Sequence, residues 1–163
     1  FISKATGYID PTYIENTGAN SNGMVTLTEF APDSPRGIEV NNRFKERFGS
    51  DMNGHSCMTY TAIWLYKNIF EMALAADGEV TPAGVQNQLS TCRFEGAQFP
   101  DGTPFIVPYD AIEFTDAEIN GVQHTNINME AVPAFVQIQD GQYVSVWPWD
   151  VANADIDYPA TYS

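Results

Sequence analysis

Basic side chains are scarce in this 163-residue chain: seven Lys and Arg stand against 21 Asp and Glu, for a net charge of −14. A field of that sign repels phosphate backbones and anionic lipid surfaces, so no nucleic-acid partner is expected. Long apolar runs are missing too. The longest candidate, Ile63 to Ala76, is interrupted by Lys67, Asn68 and Glu71, and a membrane-spanning helix needs roughly 18 uninterrupted apolar residues or more. The chain opens on Phe1-Ile2-Ser3, not on Met and a basic stretch, so no signal peptide is read. Either processing or truncation is expected to have removed what came before.

Catalytic parts are equally thin. There are two histidines, His55 and His124, far apart in the chain. No HExxH, Cys-x-x-Cys, GxSxG, P-loop or glycine-rich phosphate cradle is present. Cys57, near a helix start, has the position of an activated nucleophile, with a buried or disulfide-bonded thiol as the other reading. Asp51, Asp101, Asp110 and Asp116 lie in loops without the spacing of a calcium-binding loop. The expectation is a chain with no catalytic residues, no metal ligands and no cofactor.

What is present is core-forming material: 44% of residues are hydrophobic and 13% aromatic, enough to fold as a domain. Asp10-Pro11, Ser34-Pro35 and Thr81-Pro82 each set a capping side chain before a proline suited to the first helical position. The first helix closes at Gly18. The second carries Val40, Phe44 and Phe48 on one face and stops at Gly49. A third, from about Ser56 to Ala76, places Met58, Ala62, Leu65, Ile69 and Met72 on one stripe, widened by Tyr60 and Trp64 toward full burial. A fourth covers about Pro82 to Leu89. Strands are expected over 23–28, 105–107, 111–114, 132–138 and 143–147, the last two flanking the hairpin turn Asp140-Gly141. This is an α/β chain with an appended antiparallel portion.

The order of short motifs carries a resemblance. Gly7-Tyr8-Ile9-Asp10-Pro11-x-Tyr13-Ile14-x-x-x-Gly18 followed by Gly23-Met24-Val25 resembles the leucine/isoleucine/valine-binding proteins and their wider family of periplasmic solute-binding proteins. Arg43-Phe44-Lys45-Glu46-Arg47-Phe48-Gly49 looks like that family's F-x-x-x-[FY]-G helix end, and Thr59-Tyr60-Thr61-Ala62 like the opening of its long helix. Phe94-Glu95-Gly96 is similar to its F-x-G-x-x-G loop, with the second glycine displaced to Gly102. Val136 to Gly141 resembles the closing hairpin, and Val146-Trp147-Pro148 with Pro159 the C-terminal tail.

The resemblance implies the C-terminal portion of a two-lobed type I periplasmic-binding fold with Rossmann-like lobes. Residues 1–30 would belong to the second lobe, 31–134 to the first, and 135–163 would cross back to the second. The implied activity is capture of a small amino-acid-like solute and its delivery to the membrane permease of an ABC importer, or ligand sensing on the same fold. The implied partners are the solute, the permease and a missing N-terminal portion of the same protein. The implied location is periplasmic, or extracellular as an anchored lipoprotein. Solutes in such receptors sit where strands end and helices begin, which here singles out Thr6, Tyr8 and His55. In amino-acid-binding relatives an acidic residue in the first loop holds the ligand ammonium. This chain has Thr6 there, and a hydroxyl does not supply the charge a buried ammonium needs. The ligand is therefore left open among branched-chain amino acids, amides, urea and aromatic acids. An oxidising periplasm would also permit a Cys57–Cys92 disulfide, if the third and fourth helices pack antiparallel and bring the start of one to the end of the next.

Overall fold

Capping chemistry sets the helix starts. In the computed structural model, which describes residues 2–3 and 6–158, Asp10, Ser34 and Thr81 each accept a backbone N–H of the following first turn. The helices they open are α1 (Pro11–Thr17), α2 (Pro35–Phe48) and α4 (Pro82–Thr91). The long α3 (Gly54–Asp77) has no proline start. Asn53 serves it instead, its side-chain oxygen accepting the Ser56 amide at 2.9 Å. Gly49 closes α2 in the left-handed conformation, at φ 76°, where a side chain would be strained.

The chain divides into two compact units. The first draws on residues 1–59, 106–108 and 132–163, the second on 60–105 and 109–131.

In the first unit a four-stranded sheet runs in the order β1 (Ile2–Ser3), β2 (Val25–Thr28), β6 (Ala134–Gln139), β7 (Gln142–Trp147). β1 and β2 are parallel; β6 pairs antiparallel with β2 on one side and with β7 on the other. The Asp140-Gly141 turn joins β6 to β7 with both residues at positive φ, as expected of a tight hairpin. Val25, Phe30, Ala31, Val40, Met52, Val136, Ile138 and Val146 form the core. Buried Gln137 does not stay unpaired: its side chain bonds Gly23 and both backbone groups of Asp157, fastening the segment after β7 to the sheet.

The second unit contains the body of α3, α4, and a three-stranded sheet of β3 (Arg93–Phe94), β4 (Ile112–Ile119) and β5 (Val122–Asn128). Its core is aromatic. Phe99 stands edge-to-face to both Phe94 and Phe105, each at 5.4 Å between ring centres.

Several expectations need correction. Residues 105–107 are buried but form no strand; Phe105 N–H bonds back to Ala97 O in a loop. The expected strand 111–114 is the start of a longer hairpin, β4–β5, whose turn Asn120-Gly121 sits at positive φ. The buried line of α3 is Cys57, Thr61, Asn68, Ile69 and Ala73; of the expected stripe Ile69 lies on it, while Ala62, Leu65 and Met72 are half-buried and Met58 is exposed. Ile63, Tyr66, Phe70 and Leu74 lie exposed along the second-unit part of that helix, so it is not buried all round.

The Cys57–Cys92 disulfide is also absent: both thiols are free and buried. The Cys57 thiol faces Glu29 O at 3.6 Å and Ile106 O at 3.5 Å, while that of Cys92 faces Leu89 O at 3.4 Å. The pairing assumed that antiparallel packing would bring the start of the third helix to the end of the fourth. α3 has 24 residues and α4 has 10, about 36 and 15 Å at roughly 1.5 Å per residue. With lengths so unequal, antiparallel packing alone does not bring the end of one to the start of the other. Pro159 lies outside the described residues.

Candidate functional site

Within the first unit, a pocket of about 450 Å³ opens where β2 ends and α1 and α3 begin. Ile9, Pro11 and Ile14 of the α1 region and Ile38 of α2 give it apolar walls, together with Phe30, Met52 and Val136. Its charged members are Glu15, Asp33 and Asp51, and no Lys or Arg lines it. Such a mixture, mainly apolar with a few placed polar groups, is the usual lining of a small-molecule site.

The acids differ in how they are held. Both carboxylate oxygens of Asp33 are taken by Ser145, one by its amide at 2.8 Å and one by its hydroxyl at 2.5 Å. Asp51 accepts from Asn41 Nδ2 and Lys45 Nζ, each at 2.8 Å. The Lys45 bond is the main reason its carboxyl sits below the usual carboxylate range. Asn41 returns its side-chain oxygen to the Met52 amide at 2.7 Å, fixing the loop between α2 and α3 against α2. Glu15 is exposed.

Two of the sequence-predicted positions, Tyr8 and His55, flank this pocket and are not among its lining residues. Ile9 on the wall follows Tyr8, and Gly54 on the wall precedes His55. Tyr8 is half-buried in a 3-10 turn covering Thr6–Tyr8. Its ring meets Tyr13 edge-on at 5.2 Å, and its carbonyl accepts the Tyr143 hydroxyl at 2.6 Å. His55 is exposed in the first turn of α3. Thr6 belongs to the same turn as Tyr8, and its side chain lies outside what is described. Tight approach explains Gly54: a Cβ there would lie 2.7 Å from the Ile9 side chain and 3.2 Å from Thr28.

Sequence reasoning did not single out Asp33, Asn41, Asn53 or Tyr143. Asn53 was within reach, since an Asn three residues before a Ser at a helix start is a capping signal. The pairings of Asp33 with Ser145 and of Tyr143 with Tyr8 span more than a hundred residues, and no local pattern announces them.

Comparison with known proteins fits this geometry. No protein-family model matches the chain, and no curated protein does. Solved structures do. One from Silicibacter pomeroyi, described as a branched-chain amino acid ABC transporter, matches 97% of this chain at TM-score 0.65 and 19% identity. The chain carries part of the type I periplasmic-binding fold. It spans 40% of the length of that structure, and the C-terminal part is the one that fits. An extracellular ligand-binding receptor from Rhodopseudomonas palustris matches 85% of this chain and 38% of its own length, at TM-score 0.58 and 13% identity. A branched-chain amino acid ABC transporter from Thermus thermophilus, solved with bound valine, gives TM-score 0.50 at 17% identity over 85% of this chain and 36% of its own. Identities of this size speak for the fold. Among the described residues, no helix is long and apolar enough to cross a membrane.

Proposed function

We propose that the chain is the C-terminal part of an extracytoplasmic solute-binding receptor of an ABC importer, a binding protein and not an enzyme. Its task is to hold a small amino-acid-like solute between two lobes and hand it to a membrane permease. The lobe assignment that goes with this reading is residues 1–30 and 135–163 in the second lobe and 31–134 in the first. The observation that carries it is the match of nearly the whole chain to solved transporter and receptor structures. It is supported by a partly apolar pocket beside the strand-to-helix junctions where such folds bind ligands. In this reading Thr6, Tyr8 and His55 contact the solute, and the location is periplasmic or extracellular.

The test uses the full-length protein. Native mass spectrometry after gentle purification should show a retained small molecule, and a thermal-shift panel of amino acids, their amides and aromatic acids should identify its class. Alanine at Thr6, Tyr8 or His55 should weaken binding while leaving the ligand-free melting temperature nearly unchanged. If all three variants kept affinity within about twofold, the site would lie elsewhere. Several similar structures are described as extracellular ligand-binding receptors, so a sensing role on the same fold is the second reading. Neighbouring permease genes would favour import, and a signalling domain in the same gene would favour sensing.

A further inference from the structure

Six dipeptides in the chain set glycine after an acid or its amide: Asn22-Gly23, Asn53-Gly54, Asp77-Gly78, Asp101-Gly102, Asn120-Gly121 and Asp140-Gly141. Glycine has no Cβ to screen its own nitrogen. Each such pair can therefore close a five-membered ring, the glycine nitrogen attacking the carbonyl carbon of the preceding side chain. The fold decides which of them does so.

Five of the six are held. Gly23 N–H donates to Ile138 O at 2.8 Å, Gly78 N–H to Leu74 O at 2.9 Å and Gly102 N–H to Phe99 O at 2.8 Å. The Asn22 side-chain oxygen takes Gly141 N–H at 3.0 Å, one bond that occupies the nitrogen of one pair and the carbonyl of another. At Asn53-Gly54 the Asn53 oxygen caps α3 through the Ser56 amide at 2.9 Å and the Ser56 hydroxyl at 3.0 Å. Gly54 itself is buried, so close to Ile9 that a Cβ would stand 2.7 Å from that side chain. Groups engaged in this way react only after the local structure opens.

Asn120-Gly121 has no such restraint. It is the two-residue turn between β4 and β5, at φ 52° and 79°, and both residues are exposed. Among the described residues, the Gly121 amide donates to no acceptor and the Asn120 side chain has no partner. A Cβ on Gly121 would meet nothing within 4 Å. The strand ends beside it, Ile119 at 39% and Val122 at 56% exposure, let the tip open for little free energy.

We propose that Asn120 is a site of spontaneous covalent modification, with water as the only co-reactant. The Gly121 nitrogen bonds to Asn120 Cγ, the Cγ–Nδ2 bond breaks, and ammonia leaves with the proton that the Gly121 nitrogen gave up. Water then opens the resulting succinimide. Attack at Cγ breaks the new bond and leaves aspartate. Attack at the backbone carbonyl carbon breaks the original peptide bond to Gly121 and leaves isoaspartate, the chain now running through Cβ and Cγ. Either product adds one negative charge, but they differ for the fold. Asp-Gly still suits a tight hairpin turn. The extra backbone carbon of isoaspartate disturbs the pairing of Ile119 with Val122 that the two-residue turn sets.

The test holds the full-length protein in mildly alkaline buffer, folded and in urea, and follows its peptides by mass spectrometry. Isoaspartate is read with an isoaspartate-specific methyltransferase. In the folded protein Asn120 should convert about tenfold faster than Asn22 or Asn53, or more, because those two wait on a larger opening. In urea the three rates should draw together. Asn120→Gly keeps a turn-forming pair and should remove the signal from the β4–β5 peptide while leaving the other two sites unchanged. The isoaspartyl fraction should exchange the Ile119 and Val122 amides faster than the parent. No conversion at Asn120 in the folded protein, or conversion at Asn22 or Asn53 just as fast, would overturn the proposal. So would aspartate without isoaspartate, the result of direct hydrolysis and not of ring closure. Parental exchange in the isoaspartyl fraction would overturn the effect assigned to the turn.

Discussion

In the first unit, the bonds that cross the longest stretches of chain run from polar side chains to backbone. Tyr143 reaches Tyr8 O, the Ser145 amide reaches Asp33, and Gln137 reaches Gly23 and Asp157. In the second unit, the interior is rings stacked edge-to-face, and the polar ties sit outside as ion pairs. There Arg93 gathers Glu95, Glu113 and Glu130, and Lys67 pairs with Glu71 and Asp101. The difference matters because a satisfied buried polar network fixes one geometry, whereas apolar packing supplies stability with less directional demand. The candidate site lies in the unit whose interior is directional. The second unit has the chemistry of a support.

The largest effect should come from breaking the aromatic interior. Phe99 is 2% exposed and touches rings on two sides. Phe99→Ala should cost about 3–5 kcal/mol, read from the denaturation midpoint of the second unit by exchange at β4. A loss under about 1 kcal/mol would mean that this core collapses around the gap and is not a tight stack.

A smaller loss is expected from the directional interior. Asp33→Ala strands the amide and hydroxyl of Ser145, a residue with no exposure at all. Leaving such groups unpaired costs about 1–3 kcal/mol, and Asp33→Asn should recover part of it by keeping one acceptor. The Trp147 fluorescence midpoint in urea reads both. Equal stability of the Ala and Asn variants would show that water takes over these bonds and that the network is not closed.

The parts of this molecule that could be read in sequence are those whose cause is local. Asp10-Pro11, Ser34-Pro35 and Thr81-Pro82 begin helices because cap and proline are adjacent, and Asp140-Gly141 turns a hairpin for the same reason. The face of α3 was only partly read, at Ile69, because burial depends on neighbours far along the chain, which select Cys57 and Thr61 over Met58 and Ala62. At the site, the turn at 6–8 and the start of α3 were visible as junctions. Asp33, Asn41 and Tyr143 were not, since each takes its meaning from a partner in another segment.

The two thiols sharpen the comparison, one lying in each unit. Burial raises both above the ordinary thiol range, with the charge of Glu29 at Cys57 and of Glu113 at Cys92 adding to it. Cys57 has no exposure and Cys92 has 5%. Since the thiolate is the reactive form, a maleimide at neutral pH should label Cys92 first and Cys57 only on unfolding. Two thiols should titrate in the denatured, unreduced protein. Finding none would restore the disulfide, and labelling of Cys57 first would make the first unit the looser of the two.

The smallest effect belongs to the second unit's surface. Asp101 bonds Lys67 Nζ at 2.9 Å and the Thr103 amide at 3.0 Å, and Lys67 is the leading reason its carboxyl drops from the ordinary 3.8 to about 2. A carboxyl whose folded pKa lies below its unfolded one binds fewer protons when folded. Its contribution is therefore complete above the unfolded value and fades as pH falls through the folded one. The window is about pH 4 down to about 2. Because the pair stands in solvent, salt should screen most of it. Asp101→Asn should thus flatten the acid limb of the stability profile in that window and leave the neutral plateau almost where it was, with the difference shrinking in high salt. An acid limb identical in parent and variant would show that Lys67 spends its charge on Glu71, and that the second unit's outer ties are decoration on an interior held by Phe94, Phe99 and Phe105.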